Sequence, residues 1–468
     1  MQEEHKNREL RELVKKFEAL LKQNANYYFD EDTFLDIINY YHDHDKLKMA
    51  LKASKVAKET FPYSTDIIQE RAEVLVKLNR AEQAIKELEA VLVFQPNDPD
   101  LLIQMGTIHA LLSQYQLAIE RFQAALISAE DKDEIYYNIG LSYQGLGDYT
   151  SAIANYKHAM EHNMANENIL YELAFCLDLQ GELEDSIDYY QQFIDRDPFS
   201  EFAWYNLGIV YNKLGRFQEA VDAYEFAIAI DDSFSSAYFN LGNAHMNAAS
   251  FTKALDAYSK TLEIEGASAE IFCHMGACYE KMDEYELSGK YYQKATKLDQ
   301  MYHEAWFGLG MVLTLQNKHY EAVHFLAKAT KLDPENPLYW KTLATAENYI
   351  GNVVSALDAF IEASELDPGD GDLWLEWSRV YFEQGDIENA VAVLESGLNE
   401  LPDASSLLYR SVVYLISDGK YKDAFNRLEL ALILDFKGHT QLFDFFPNPQ
   451  TQTALFRVIE QYRKKEDQ

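Results

Sequence analysis

Residues 201–234 read EFAWYNLGIVYNKLGRFQEAVDAYEFAIAIDDSF. Leu207, Gly208 and Tyr211 follow Trp204 by three, four and seven residues, and Tyr224 and Ala227 follow Ala220 by four and seven. Side chains at those intervals share one face of an α-helix. Gly215 falls between the two groups, where a helix can stop and the chain can turn. The stretch predicts two amphipathic helices joined by a tight turn.

A step of 34 residues brings the pattern back as Tyr238, Leu241-Gly242, His245, Ala254 and Tyr258, and a second step as Phe272, Met275-Gly276, Tyr279, Ser288 and Tyr292. Continued both ways, the frame holds without insertion from Glu31 to Gly438. The Ala220 position is the sharpest test: Ala50, Ala84, Ala118, Ala152, Ser186, Ala220, Ala254, Ser288, Ala322, Ala356, Ala390, Ala424. Nothing larger than alanine or serine occurs there, as expected where two helix backbones cross closely. The Gly208 position is also mostly small, and the Trp204 position is always bulky and apolar. Turn-formers recur between the helices (Gly147, Gly181, Gly215, Asp283, Asn317, Gly351, Gly385, Gly419), and prolines such as Pro198, Pro334 and Pro368 end several units.

These residues resemble the tetratricopeptide repeat family, whose signature is W-x2-L-G-x2-Y, then A-x3-F, then P. The resemblance spans residues 31–438 and implies an all-α, right-handed superhelical solenoid of about twelve helix–turn–helix repeats. The first unit departs from it, with Ile38 and Ser54 where a small residue and an aromatic are usual, and the last has Val412 at the glycine position. Residues 1–30 and 439–468 are expected to supply capping helices. Leu10, Leu13, Val14, Phe17, Leu20 and Leu21 form one apolar face. Leu442, Phe443, Phe445 and Phe446 are cut off by Pro447 and Pro449 before a helix carrying Leu455, Phe456, Ile459 and Tyr462, and an Arg463-Lys464-Lys465 tail.

Composition narrows the function. The net charge is −36, and residues 31–438 hold 31 basic against 67 acidic side chains. That balance disfavours nucleic acid, whose binding rests on cations neutralising phosphates. Three cysteines suggest no disulfide framework, and neither a signal segment nor a membrane-length apolar run is present, so a cytoplasmic protein is expected. No phosphate loop, nucleophile elbow or metal-spaced histidine pair occurs. Cys273, His274 and Cys278 lie close in sequence, but residues five apart do not share a helix face, so core cysteines are expected and no metal or cofactor. His42, His44, His158 and His162 are expected to be solvated, and Glu347 to be half-buried.

The residue after each Trp204-type anchor should point away from the core, and in tetratricopeptide arrays that face lines the concave groove. It reads Tyr137, Tyr171, Tyr205, Phe239, Phe307 and Tyr409, with Asn138, Asn206 and Asn240 beside it and Asn243 and Asn247 further along. An asparagine amide both donates and accepts, so it can pair with any extended peptide backbone, and aromatics add apolar contact. The resemblance is to arrays that bind extended peptides through such a ladder. The family's carboxylate clamp of lysine and arginine is not matched, since Phe239 stands where a lysine would be needed. The expected function is a non-catalytic scaffold binding a neutral or basic protein segment. A polyanion binder and a groove-based enzyme or small-molecule receptor are the disfavoured alternatives.

Overall fold

The computed structural model describes residues 2–22, 28–164, 166–443, 445–446 and 449–466, with side chains described over 9–463 of these apart from 449–450. Pro447 and the side chains of Lys464 and Lys465 lie outside the described residues. The described secondary structure is entirely helical. It forms two compact units, Met1–Asp232 and Ser233–Gln468.

Each unit is a succession of helix pairs. Glu201–Lys213 packs on Phe217–Ile230 in the first, and His303–Leu315 packs on His319–Leu332 in the second. The first helix of a pair often starts on a residue whose side chain accepts from a free backbone N–H of the first turn. Asp30, Ser64, Asp98, Asn166 and Ser200 do so in the first unit, and Ser268, Asn336 and Asp370 in the second. Each such cap is worth about 1 kcal/mol.

The turn between the helices is the same throughout. At Gly215 the backbone is left-handed (φ 73°), the Gly215 N–H reaches the Asn212 carbonyl, and the Arg216 N–H reaches the Tyr211 carbonyl at 2.8 Å. This closes the exposed carbonyls of the first helix. The same conformation recurs every 34 residues, at Asp45, Asn79, Ser113, Gly147, Gly181 and Gly215, then at Ala249, Asp283, Asn317, Gly351, Gly385 and Gly419. A Cβ added at Gly215 would meet nothing within 4 Å, so the dihedral angle, not space, favours glycine there.

The core is divided among separate clusters rather than gathered at one centre. Leu102, Ala118, Ile119, Phe122, Ala125, Ile135 and Ile139 make one, drawn from three successive helices of two adjacent pairs. All residues at the Ala220 position, from Ala50 to Ala424, have 0% exposure. Where serine replaces alanine its hydroxyl is satisfied locally: Ser288 donates to the Gly276 carbonyl at 2.8 Å, across the helix crossing. The unit-ending prolines also have a role their sequence did not show. Trp204, Trp340 and Trp374 donate their indole N–H to the carbonyls of Pro198, Pro334 and Pro368, tying anchor to turn.

In the first pair the usual sizes are exchanged, and Ile38 and Ser54 are both fully buried. The Ser54 hydroxyl then accepts from Arg71, a nearly buried arginine that also grips Glu87 through Nε at 2.7 Å and Nη2 at 3.2 Å. Lys58 adds a third cationic contact to Glu87 at 3.0 Å.

At the ends, helix Gln2–Leu21 buries Val14 and Phe17, whose ring meets Phe29, Phe34 and Tyr41. Helix Pro449–Glu466 buries Leu455 and Ile459, but Phe456 faces outward at 54% exposure, contrary to the expected apolar face.

Candidate partner-binding site

The aromatic positions after the anchors divide into two kinds. Tyr137, Tyr205, Phe239 and Phe307 are half-buried and Tyr171 is exposed. Three of them lean on a ring from the second helix of their own pair: Tyr137 on Tyr156, Tyr205 on Tyr224 and Phe239 on Tyr258, with centroids 5.7–5.9 Å apart. Phe307 stacks on Tyr339 at 4.4 Å. Each ring thus has one side on a rigid neighbour, which limits the entropy lost when its other side is covered.

Tyr409 corrects the expectation. It has 0% exposure, and its hydroxyl donates to the Asp435 carbonyl. The segment Phe436–Leu442 folds across this helix, so that even a Cβ on Gly438 would lie 2.8 Å from the Tyr409 ring. Arg410 is half-buried, its guanidinium 4.7 Å from the Phe445 ring centroid. Non-repeating chain occupies the face that the repeats elsewhere leave open.

The asparagines are less uniform than the sequence suggested. Asn138, Asn206, Asn240 and Asn243 are half-buried, and Asn247 is exposed. Asn243 is engaged internally: its carbonyl accepts from the Tyr258 hydroxyl at 2.7 Å and its amide donates to Asn240 Oδ1 at 3.3 Å. It orders Asn240 and Tyr258, a positioning role the spacing could not reveal.

Two features on the same helix face escaped the sequence argument. The first is an apolar stripe on Glu167–Gln180, where Tyr171, Phe175 and Leu179 are 53%, 41% and 50% exposed. The interval of four between them was the available signal. The second is a trough in the first unit. One cavity of about 800 Å³ is walled by first helices Glu31–Asp43, Thr65–Lys77 and Pro99–Leu111, with Leu35, Val76, Ile103 and Leu111 as its apolar lining and Asp66, Glu70, Glu73, Asp100 and Glu134 as its acidic lining. A second, of about 920 Å³, shares Asp100, Ile103 and Glu134 with it and adds Glu130, Asp131 and Asp133, with Lys132 and His162 between them. Burial, with the charges of Glu73, Asp43 and Asp66, pushes the Glu70 carboxyl above its usual value despite a hydrogen bond from Asn39.

Cys176 and Cys278 are fully buried, as the repeat frame predicts. Burial pushes the Cys278 thiol up to about 12, and burial with the charges of Glu304, Glu280 and Glu270 does the same for Cys273, so neither is a ready nucleophile. Among the described residues no three histidine, cysteine or carboxylate side chains gather as a metal site. His44 is bonded to the Tyr40 carbonyl, and His158 pairs with Glu161. His42 departs from expectation: its Nε2 is buried with no hydrogen-bond partner, where a solvated ring was expected. Glu347 is half-buried, accepting from Asn352 at 2.7 Å.

Repeating helix pairs with a fixed left-handed turn, small crossing residues and an open first-helix face define an interaction solenoid. The chain belongs to the tetratricopeptide repeat family: residues 202–234, then 143–207 and 351–410, then 269–300 and 303–336 match three tetratricopeptide repeat descriptions. That family supports protein interaction as the general role. Among solved structures, the chain is similar to YrrB, described as a TPR protein with an unusual peptide-binding site (23% identity, 39% of this chain and 94% of that one, TM-score 0.32). It is similar to the APC/C hetero-tetramer Cut9–Hcn1 (16% identity, 86% and 95%, TM-score 0.42). A tetratricopeptide repeat protein from Parabacteroides merdae is a third (15% identity, 53% and 98%, TM-score 0.44). No curated protein matches the chain. Among the described residues no helix is long and apolar enough to cross a membrane.

Proposed function

We propose that this protein is a non-catalytic scaffold that receives an extended segment of a partner protein along the exposed face of its first helices. The observation that carries this reading is the apolar surface on first helices of the first unit: Tyr171, Phe175 and Leu179, exposed on one helix, and Tyr205, half-buried and braced by Tyr224. Exposed apolar side chains in line are unfavourable in water unless something covers them. Asn206 follows Tyr205 in the chain as Asn138 follows Tyr137, and both offer amides to a peptide backbone. In the second unit Phe239, Asn240, Asn247 and Phe307 present the same residue types, with Asn243 holding Asn240 in place.

The acidic balance favours a neutral or basic partner and disfavours nucleic acid. A pull-down from native cell extract, read by mass spectrometry, supplies the partner. Hydrogen exchange of the complex then tests the site. Protection concentrated on Asp133–Gly145, Glu167–Gln180 and Glu201–Lys213 is expected, and protection confined to the second helices of the pairs would contradict the proposal.

A further inference from the structure

The trough in the first unit has a character of its own. Its apolar lining comes from Leu35, Val76, Ile103 and Leu111, the last 65% exposed. Five carboxylates surround these residues in the first cavity, against the single cation Lys77. Asp66, Asp100 and Glu134 stand in the first turns of their helices, where a negative charge complements the helix dipole and needs no ligand to explain it. Glu70 and Glu73 have no such explanation. They sit in the middle of Thr65–Lys77, one half-buried beside the other, and Glu70 is flanked by the further acids Asp43 and Asp66. Like charges held this close destabilise the free protein, and a cation placed among them would remove the repulsion. Gln104, on the same wall, bonds the Gln69 carbonyl through Nε2, while its Oε1 is buried without a partner.

The two cavities meet at Asp100, Ile103 and Glu134, so the acidic surface is elongated across successive first helices rather than gathered at a point. A point cation would use one end only. An extended chain matches the length, its cationic side chains meeting the carboxylates and its apolar ones meeting Leu35, Val76, Ile103 and Leu111.

We infer that this trough binds an extended basic segment of a partner protein, in which lysine or arginine alternates with apolar residues. The inference rests on the scaffold reading above and adds to it a second contact region with a defined charge preference.

The test uses the full chain and a fluorescein-labelled octapeptide alternating lysine and alanine, with a glutamate–alanine peptide as control, titrated by anisotropy at two salt concentrations. Three proteins are compared: the parent, the trough variant Glu70→Gln, Glu73→Gln, Asp100→Asn, and the outer variant Glu82→Gln, Glu89→Gln, Glu120→Gln. Both variants remove three charges, so a general field effect would weaken them equally. Melting curves confirm that each is folded. The inference expects at least tenfold weaker binding and a shallower salt dependence in the trough variant, less than twofold change in the outer one, and no binding of the glutamate peptide. Equal losses in the two variants, or equal binding of both peptides, would overturn it. If the native partner binds the trough variant as tightly as the parent but loses affinity when Tyr171 and Tyr205 are truncated, the scaffold reading stands and the trough assignment falls.

Discussion

A Cβ on Gly208 would lie 2.6 Å from the ring of Tyr224, sixteen residues further on and across the helix crossing. The same contact recurs between Gly106 and Phe122 and between Gly242 and Tyr258. Glycine on the first helix is therefore the socket for the ring on the second. Gly208→Leu should destabilise by roughly 1–3 kcal/mol through overpacking, and Ala220→Leu, at 0% exposure, should do likewise. Tyr205→Ala should cost clearly less. Denaturant melts that reverse this order would show the helix faces to be wrongly assigned.

The socket also makes a coupled prediction. Ala72 with Leu88 and Ile38 with Ser54 fill the same two places with different divisions of volume. Gly208→Ala combined with Tyr224→Leu should then lose less stability than the two single changes added together, by about 1 kcal/mol. Strict additivity in a double-mutant cycle would contradict the packing described.

Ala249 holds a left-handed turn at φ 54°, where most comparable turns have glycine, asparagine or aspartate. The conformation costs a side chain about 1–2 kcal/mol, and glycine's greater freedom when unfolded offsets part of the relief. Ala249→Gly should therefore stabilise by about 0.5–1 kcal/mol. Gly215→Ala should destabilise by a similar amount, and thermal melts of the two variants check the pair of signs.

Glu87 accepts from both Arg71 and Lys58. Burial alone would raise its carboxyl, but those hydrogen bonds and charges outweigh it and hold it below its usual value. A depressed folded-state pKa means the stabilisation is complete above the unfolded value, near 4.5, and is lost as pH falls through the folded one. Glu87→Gln should cost roughly 2–3 kcal/mol at pH 7, because Arg71 would be left nearly buried without its counter-ion. Its stability should also fall less steeply than the parent's below pH 5. Parallel acid titrations of parent and variant would contradict this.

The helical repeat was legible because its constraint is periodic: a small residue at Ala220 and a ring against Gly208 must return in every pair. Features made once were not. Arg71 and Glu87 are ordinary charged residues until the fold brings them together, and Ala249 gives no sign that its turn is left-handed. Tyr409 fits the aromatic ladder by number and is buried because the chain after Asp435 covers it. The candidate surface was legible only in part, since aromatics and asparagines stand out in a 34-residue frame. Carboxylates at the equivalent positions of the first unit blend into an acidic sequence until the trough between them is seen.

The scaffold reading is tested most directly by titrating the parent protein and Tyr171→Ala, Tyr205→Ala with the partner segment recovered from cell extract. Aromatic anchors dominate such interfaces, so the variant should bind about tenfold or more weakly while melting like the parent. Parent-like affinity in a variant that melts like the parent would contradict the account and return these rings to ordinary repeat surface.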